Sequence, residues 1–515
     1  VSERRAGHAP AWSLAAAVIG SSMSFIDGTA VNVALPVLQR DLGASAASVQ
    51  WVVESYSLFL SALILIGGSL GDRFGRRRVY AIGIALFAVA SFACGFAPNV
   101  ACLIAARAVQ GVGGALATPG SLALISAAYD GEARGRAIGT WSGFSAVMSA
   151  LGPVIGGWLV QIGSWRAVFF INIPLAAVVL AMLALRVDES RDPEAAKTID
   201  VPGALLATFG LGALVYGLIR LQAGTPDGPG IVAAAVGALA LAAFVVVELR
   251  VTHPMIHPEL FASRAFSAAN LYTFLLYGAL GGSLYFIPFD LIDVQGYPPA
   301  AAGAALLPFV AIVSTLSRFS GGLTVRLGPR LPLAAGGVLA AAGFATFGAA
   351  GVGRPYWSTF FPGAILLGLG GAAFVAPLTT TVMGAVAVTH AGIASGINNA
   401  IARTAGLVAI AALGIVLASQ FAGSLDANLA RAHADPAAIA SVRAGGADVV
   451  AGRVPPGVTK NVRAVVAGAI RAAFASGFRT AMLASAGLSL AASGIALAGF
   501  PARRSRPFGT APSSR

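Results

Sequence analysis

Gly68-Ser-Leu-Gly-Asp-Arg-Phe-Gly75-Arg-Arg-Arg78 closes an apolar run and decides how the chain is to be read. Gly71 and Gly75 allow a tight turn, and the arginine block cannot enter hydrocarbon, so this is a membrane helix ending in a basic loop. The pattern returns as Gly321-Gly-Leu-Thr-Val-Arg-Leu-Gly328-Pro-Arg330, with glycine and arginine at matching offsets and Val325 where Asp72 would stand. Two related halves of this kind are a signature of many secondary transporters.

Composition agrees. Of 515 residues, 57% are apolar and 10% charged, against roughly 25% charged in a soluble domain. Apolar runs of about 20 residues, enough to cross a bilayer, fall at 12–35, 49–69, 79–97, 100–123, 137–160, 167–185, 201–221, 230–249, 266–289, 301–324, 331–351, 358–386, 393–421 and 478–500. The first is too long for the apolar core of a signal peptide and is read as a retained span. The expected fold class is an all-α polytopic membrane protein with fourteen transmembrane helices.

The +13 formal charge lies in short clusters between apolar runs, which points to topology and not to nucleic acid. With the N-terminus inside, the inner segments collect Arg4, Arg5, Arg73, Arg76 to Arg78, Arg134, Arg136, Arg186, Arg191, Lys197, Arg250, Arg264, Arg326, Arg330 and the C-terminal arginines. Short outer loops hold only Arg40, Arg166, Arg220 and Arg354. Both termini are therefore expected in the cytoplasm. Six spans per half leave the pair at 201–249 over. The expected organisation is a first six-helix bundle over 1–185, two extra spans with charged linkers over 186–264, and a second bundle over 265–515. The second bundle carries an Ala- and Pro-rich periplasmic loop at 424–477, read as a tether with a short amphipathic helix at Val462–Phe474.

Asp27, Glu54 and Arg107 are ionisable groups well inside the first spans, each costing about 2.5–3.5 kcal/mol at bilayer depth for Asp or Arg. An acid whose distance from Arg107 changes with conformation would bind and release a proton in step with transport; the competing reading is a static ion pair. Asp27 shares a helical face with Met23 and Ser24. These two, with Asn32, Gln110 and Tyr277, are the candidate cavity residues. Gly135, Gly139 and Gly143, then Gly152 and Gly156, recur at four-residue steps, a close-packing pattern, and Pro153 can bend the helix between them. Asp72 can pair with an arginine or a helix N-terminus and lock one conformer; alternatively, the arginines around it serve topology alone. Asp290 and Asp293 are either cation attractors at the outer mouth or acids without a role. Cys94 and Cys102 are either free thiols or, if their loop brings them together, a pair.

Several motifs in order resemble the major facilitator superfamily, and within it the fourteen-span drug:proton antiporters. Ile26-Asp-Gly-Thr-Ala-Val-Asn-Val-Ala-Leu-Pro36 is similar to that group's first-span motif. Gly68 to Arg78, including Asp72, Arg73, Gly75, Arg76 and Arg77, is similar to the loop motif of the whole superfamily. Leu103-Ile-Ala-Ala-Arg-Ala-Val-Gln-Gly-Val-Gly-Gly114 resembles the fourth-span motif. Gly139 with Gly152-Pro-Val-Ile-Gly-Gly157 resembles the fifth-span antiporter motif, with Met148 where glycine is usual. Gly392-Ile-Ala-Ser-Gly-Ile-Asn-Asn399 resembles a thirteenth-span segment. The resemblance implies two bundles around a central cavity, a first-span acid tied to proton handling, and an Arg107–Gln110 pair linked to proton relay.

The chain has two lysines, Lys197 and Lys460, and neither lies in a phosphate-binding GxxxxGK[ST] loop. No cofactor is expected; the proton motive force is the energy source. The expected function is proton-coupled export of lipophilic or cationic small molecules from a bacterial cytoplasm. The alternative is a proton symporter, or an exporter dedicated to one metabolite. Expected partners are substrate, protons and the inner-membrane bilayer, with a periplasmic adaptor or otherwise a monomer. A membrane enzyme is disfavoured because no His/Cys metal set is present.

Overall fold

The computed structural model describes residues 9–191, 200–222, 228–251, 254, 256–386, 391–431, 435, 439–442, 449, 455, 458 and 460–500. The terminal arginines and Lys197, used above for topology, lie outside these residues. The α-helices begin with α1 (Ala9–Asp41), α2 (Ala46–Phe74), α3 (Arg76–Gly95), α4 (Val100–Ala128) and α5 (Gly131–Ile162). They continue with α6 (Ala167–Phe170), α7 (Asn172–Arg186), α8 (Val201–Leu221), α9 (Gly228–Glu248) and α10 (Arg264–Phe289). After these come α11 (Pro299–Ala304), α12 (Leu307–Leu327), α13 (Arg330–Gly348), α14 (Phe360–Gly384), α15 (Ala391–Arg431) and α16 (Lys460–Gly499). Among the described residues, fourteen helical segments are long and apolar enough to cross a membrane. Exposed large apolar side chains such as Ile82, Val89, Leu205, Leu239 and Leu490 lie along their outer faces, as a lipid solvent requires.

Two expected spans are broken, and proline accounts for both. Pro174 and Pro308 lack an N–H for the carbonyl four residues earlier. Those carbonyls belong to Phe170 and Ala304, where α6 and α11 stop. The Gly75 turn has φ +115° and Gly328, its counterpart in the repeat, has φ +73°. Both are conformations that favour glycine, so the repeat seen in sequence is also a repeat in backbone.

The surplus pair α8–α9 is attached at one seam. Leu211, Val215 and Ile219 of α8 cluster with Leu58 of α2 and with Leu407 and Ala411 of α15. Gln222 Nε2 donates to the Ala411 carbonyl at 3.1 Å.

The segment expected as a tether differs most from expectation. α15 and α16 contain 41 and 40 residues, about 60 Å each at 1.5 Å per residue and twice a ~30 Å hydrocarbon core. Their far ends, with Val442, Val449 and Val458 from the segment between them, form a separate apolar cluster that includes Phe421, Leu425, Leu429, Val466, Ala469 and Ile470. The helix expected at Val462–Phe474 exists, as the start of α16. A run of alanines with spaced aliphatic residues is poor in hydropathy yet good at helix formation and small-residue packing, so the hydropathy reading stopped too early.

Candidate functional site

The first-half helices converge on one buried polar knot. Asp27 of α1 and Arg107 of α4 are fully enclosed. Arg107 Nη1 donates to Asp27 Oδ2 at 2.5 Å and to Gln110 Oε1 at 2.7 Å. Its Nε donates to the Val52 carbonyl of α2 at 3.0 Å, and its guanidinium lies 4.2 Å over the Tyr56 ring. The other carboxylate oxygen, Asp27 Oδ1, accepts from Gln110 Nε2 at 2.9 Å and from Asn172 Nδ2 of α7 at 3.2 Å. Ser91 of α3 takes Gln110 Nε2 at 2.8 Å and Asn172 Nδ2 at 3.3 Å. Five helices thus share a charge pair whose charges are matched and whose carboxylate is hydrogen-bonded on both oxygens. A buried pair survives only under such conditions.

The three ionisable residues do not form one set. Glu54 of α2 is also fully buried, but its Oε1 meets only Gln50 Nε2, at 3.5 Å, and its Oε2 has no partner. It lies close to Tyr285 of α10, in the second half. Arg107 therefore belongs to Asp27, and Glu54 is a separate acid facing the opposite bundle.

Other expectations need correction. Met23 is wholly buried in a first-half cluster with Tyr56, Leu60 and Tyr80, so it does not line a cavity in this conformation. Gln110 is part of the polar knot and is equally buried; proximity to Arg107 in sequence could not separate cavity from knot. Ser24, Asn32 and Tyr277 are partly exposed, and Tyr277 packs edge-on against Phe374 at 6.2 Å. Asp290, read as either a cation attractor at the outer mouth or an acid without a role, is buried in a π-helical turn after α10 and accepts from Gln295 Nε2 at 3.2 Å. Cys94 is buried and Cys102 exposed, both unpaired. Ser91, Asn172 and Tyr56 were missed. Their signal was polarity inside apolar runs, which is weaker than charge.

In the loop motif Asp72 pairs with an arginine, one of the two partners expected for it. Asp72 Oδ1 accepts from Arg76 Nε at 2.8 Å, one turn on. A second acid, Glu189 after α7, accepts the backbone N–H groups of Arg77 and Arg78 at 3.0 and 3.1 Å. A carboxylate at the α3 N-terminus is favoured by the helix dipole. A side chain on Gly75 would run into that carboxylate. Gly68 faces Pro119 at ordinary contact distance, and Arg73 lies over Phe74 at 5.0 Å.

The fifth-span glycines divide into two groups. A Cβ on Gly152 would strike Thr29, and one on Gly156 would strike the Ala30 backbone. Gly157 abuts Pro299 of α11, and Gly303 of α11 abuts the carbonyl of Pro153. The two halves therefore touch backbone to backbone there. Gly139 and Gly143, however, have open space where a side chain would go; they form no packing groove. The surroundings of Gly135 lie outside the described set. Residues 139 and 157 are five turns apart on the same face. That face is sealed against the second half at one end and open at the Gly75 end.

The Major Facilitator Superfamily model matches residues 17–411. The chain belongs to the major facilitator superfamily. It is 37% identical over 428 residues to the multidrug resistance protein Stp of Mycobacterium tuberculosis, covering 82% of this chain and 79% of that protein. It is 35% identical over 499 residues to the tetracenomycin C resistance and export protein of Streptomyces glaucescens, covering 94% and 90%. Among solved structures it is similar to a bacterial homolog of the human lysosomal transporter Spinster in an inward-facing, unoccupied conformation. That likeness has a TM-score of 0.67 and 16% identity, with coverage of 96% and 97%. The chain is a multi-pass membrane protein of a transporter superfamily.

Proposed function

We propose that this chain expels small, lipophilic molecules in exchange for protons, by rocker-like alternating access between its halves. The observation that carries the reading is the Asp27–Arg107 pair. It is a titratable carboxylate at the centre of the first half, held by an arginine whose charge cannot be removed. A proton arriving on Asp27 Oδ2 displaces Arg107 Nη1 and leaves the guanidinium to find another acceptor, which couples protonation to helix movement. Glu54 is the second candidate carrier at the interface between halves. The resistance and export names of relatives that cover most of the chain support the outward direction.

In this reading the Gly75 end faces the cytoplasm, the membrane is the bacterial inner membrane, and both termini are inside. The α15–α16 extension then stands in the periplasm, where an adaptor would meet it; without one, the chain works as a monomer. Purified protein in liposomes under an imposed pH gradient tests this. Outward movement of a toxic lipophilic probe against its gradient, driven by inward protons, is the expected result. Movement of the probe in the same direction as protons would instead indicate a symporter. Raised tolerance to only one compound of a broad toxic panel, in an efflux-deficient host, would indicate an exporter dedicated to one metabolite.

A further inference from the structure

Arg403 of α15 has no counter-charge among the described residues. It sits about 18 Å along its helix from the start, deep in the spanning region, and no ion pair or hydrogen bond engages it among the described residues. Its Nε is enclosed and has no acceptor. The group that acts on it is Tyr56 of α2, the same ring that carries Arg107. Neither of the two buried acids of the first half serves it. Asp27 is fully occupied by Arg107, Gln110 and Asn172, and Glu54 faces Gln50 and Tyr285.

Helix register places Arg403 at the seam between the halves. Gly396 lies against Leu65 of α2, and Leu407 shares a cluster with Leu58. Residues 396, 403 and 407 occupy one face of α15, as 58, 61 and 65 do on α2. Between those anchors stands Ser61, whose Oγ is also buried without a partner. A charged group inside a membrane protein ordinarily pairs or lines a path for a ligand. Here a guanidinium that stays charged and a hydroxyl face one seam, and none of the described residues supplies the acceptor that both require.

We propose that Arg403 is an anion subsite of the central cavity, with Ser61 as its second donor. Molecules that the chain transports accordingly carry an ionised acid, a carboxylate or a comparably acidic oxygen, beside their lipophilic body. The subsite names the substrate class for the export reading above and rests on it.

Three probes of matched aromatic body test it: 2-naphthoate, 2-naphthamide and 2-naphthylmethylammonium, titrated calorimetrically into the purified full chain. Naphthoate should bind tighter than the other two by about tenfold or more, the discrimination expected of one charged hydrogen bond. Arg403→Gln should bring the three affinities together, and Arg403→Lys should keep their order with a smaller spread. Without ligand, Arg403→Gln should melt at or above the parent temperature, since an uncompensated charge has gone. Equal affinities in the parent, or an unchanged naphthoate preference in Arg403→Gln, overturns the subsite. Flux is read separately in liposomes. A naphthoate preference that depends on Arg403, with no gradient-driven movement of any probe, would keep the subsite and remove the export reading.

Discussion

At the residue scale, Asp27 and Glu54 differ in what their loss leaves behind. Sequence alone suggests that Asp27→Asn is benign to folding, because a neutral side chain is cheaper to bury. The structure reverses this. Asparagine in place of Asp27 leaves Arg107 charged and enclosed, and breaking a buried pair from one side costs about 3–5 kcal/mol. Asp27→Asn should therefore lower the melting temperature of purified protein as well as abolish uphill efflux. Adding Arg107→Gln should recover stability but not transport, a coupling that a double-mutant cycle reads directly. Glu54→Gln removes an acid that holds no cation, so its melting temperature should match the parent. If its pH-driven efflux fails while folding is intact, Glu54 carries the proton. If Asp27→Asn still concentrates substrate, Asp27 does not. The charged members of the knot were legible in the sequence because charge in an apolar run is rare. Ser91, Asn172 and the Val52 carbonyl were not, because small polar residues and backbone groups are common in such runs and only the tertiary arrangement selects them. Arg403 was equally visible as a charge. It stands just beyond the Gly392–Asn399 motif of the thirteenth span, and only the tertiary arrangement brings it to the seam with α2.

At the element scale, two segments behave unlike their composition. The Gly75 turn needs glycine twice, for φ +115° and for room beside Glu189. Gly75→Ala should insert normally yet transport slowly, with about 1–3 kcal/mol of local backbone strain. A melting curve and efflux rate identical to the parent would remove the turn from the mechanism. Asp72→Asn is milder. Its bond to Arg76 is partly exposed, and such a pair is worth at most about 1 kcal/mol, so any large transport loss would come from a partner it meets in another conformation. The α15–α16 extension is the converse case. Proline and mixed charge made it read as a tether, for which a Gly/Ser replacement would be neutral. Its own cluster, from Leu425 to Ile470, makes the replacement of residues 430–470 an excision of packed apolar surface. That variant should melt earlier than the parent, with the loss appearing in α15 and α16 by hydrogen exchange. Hydropathy found the fourteen spans because lipid imposes length and apolarity. It could not find the ends of α15 and α16, which continue in water on helix propensity and local packing.

At the scale of the whole molecule, one face of α5 carries the argument for movement. Gly157 is pressed on Pro299 while Gly139, five turns away on that face, meets nothing. A rigid half that rocks about the tight Gly152–Gly157 contact must close the gap at 139 as it opens the seal near Val160, which is buried now. Single cysteines at the two ends report this. Cys102 is exposed and has to be replaced by serine first, whereas Cys94 is enclosed. In that background Gly139→Cys should react with a membrane-impermeant maleimide from the Gly75 side, and Val160→Cys should resist it from the opposite side. An inward proton gradient with substrate present should slow the first reaction and speed the second together, because one motion governs both. Labelling at 139 that ignores gradient and substrate, with Val160→Cys still protected, would mean that the open face is a fixed vestibule and that transport moves some smaller part of the fold.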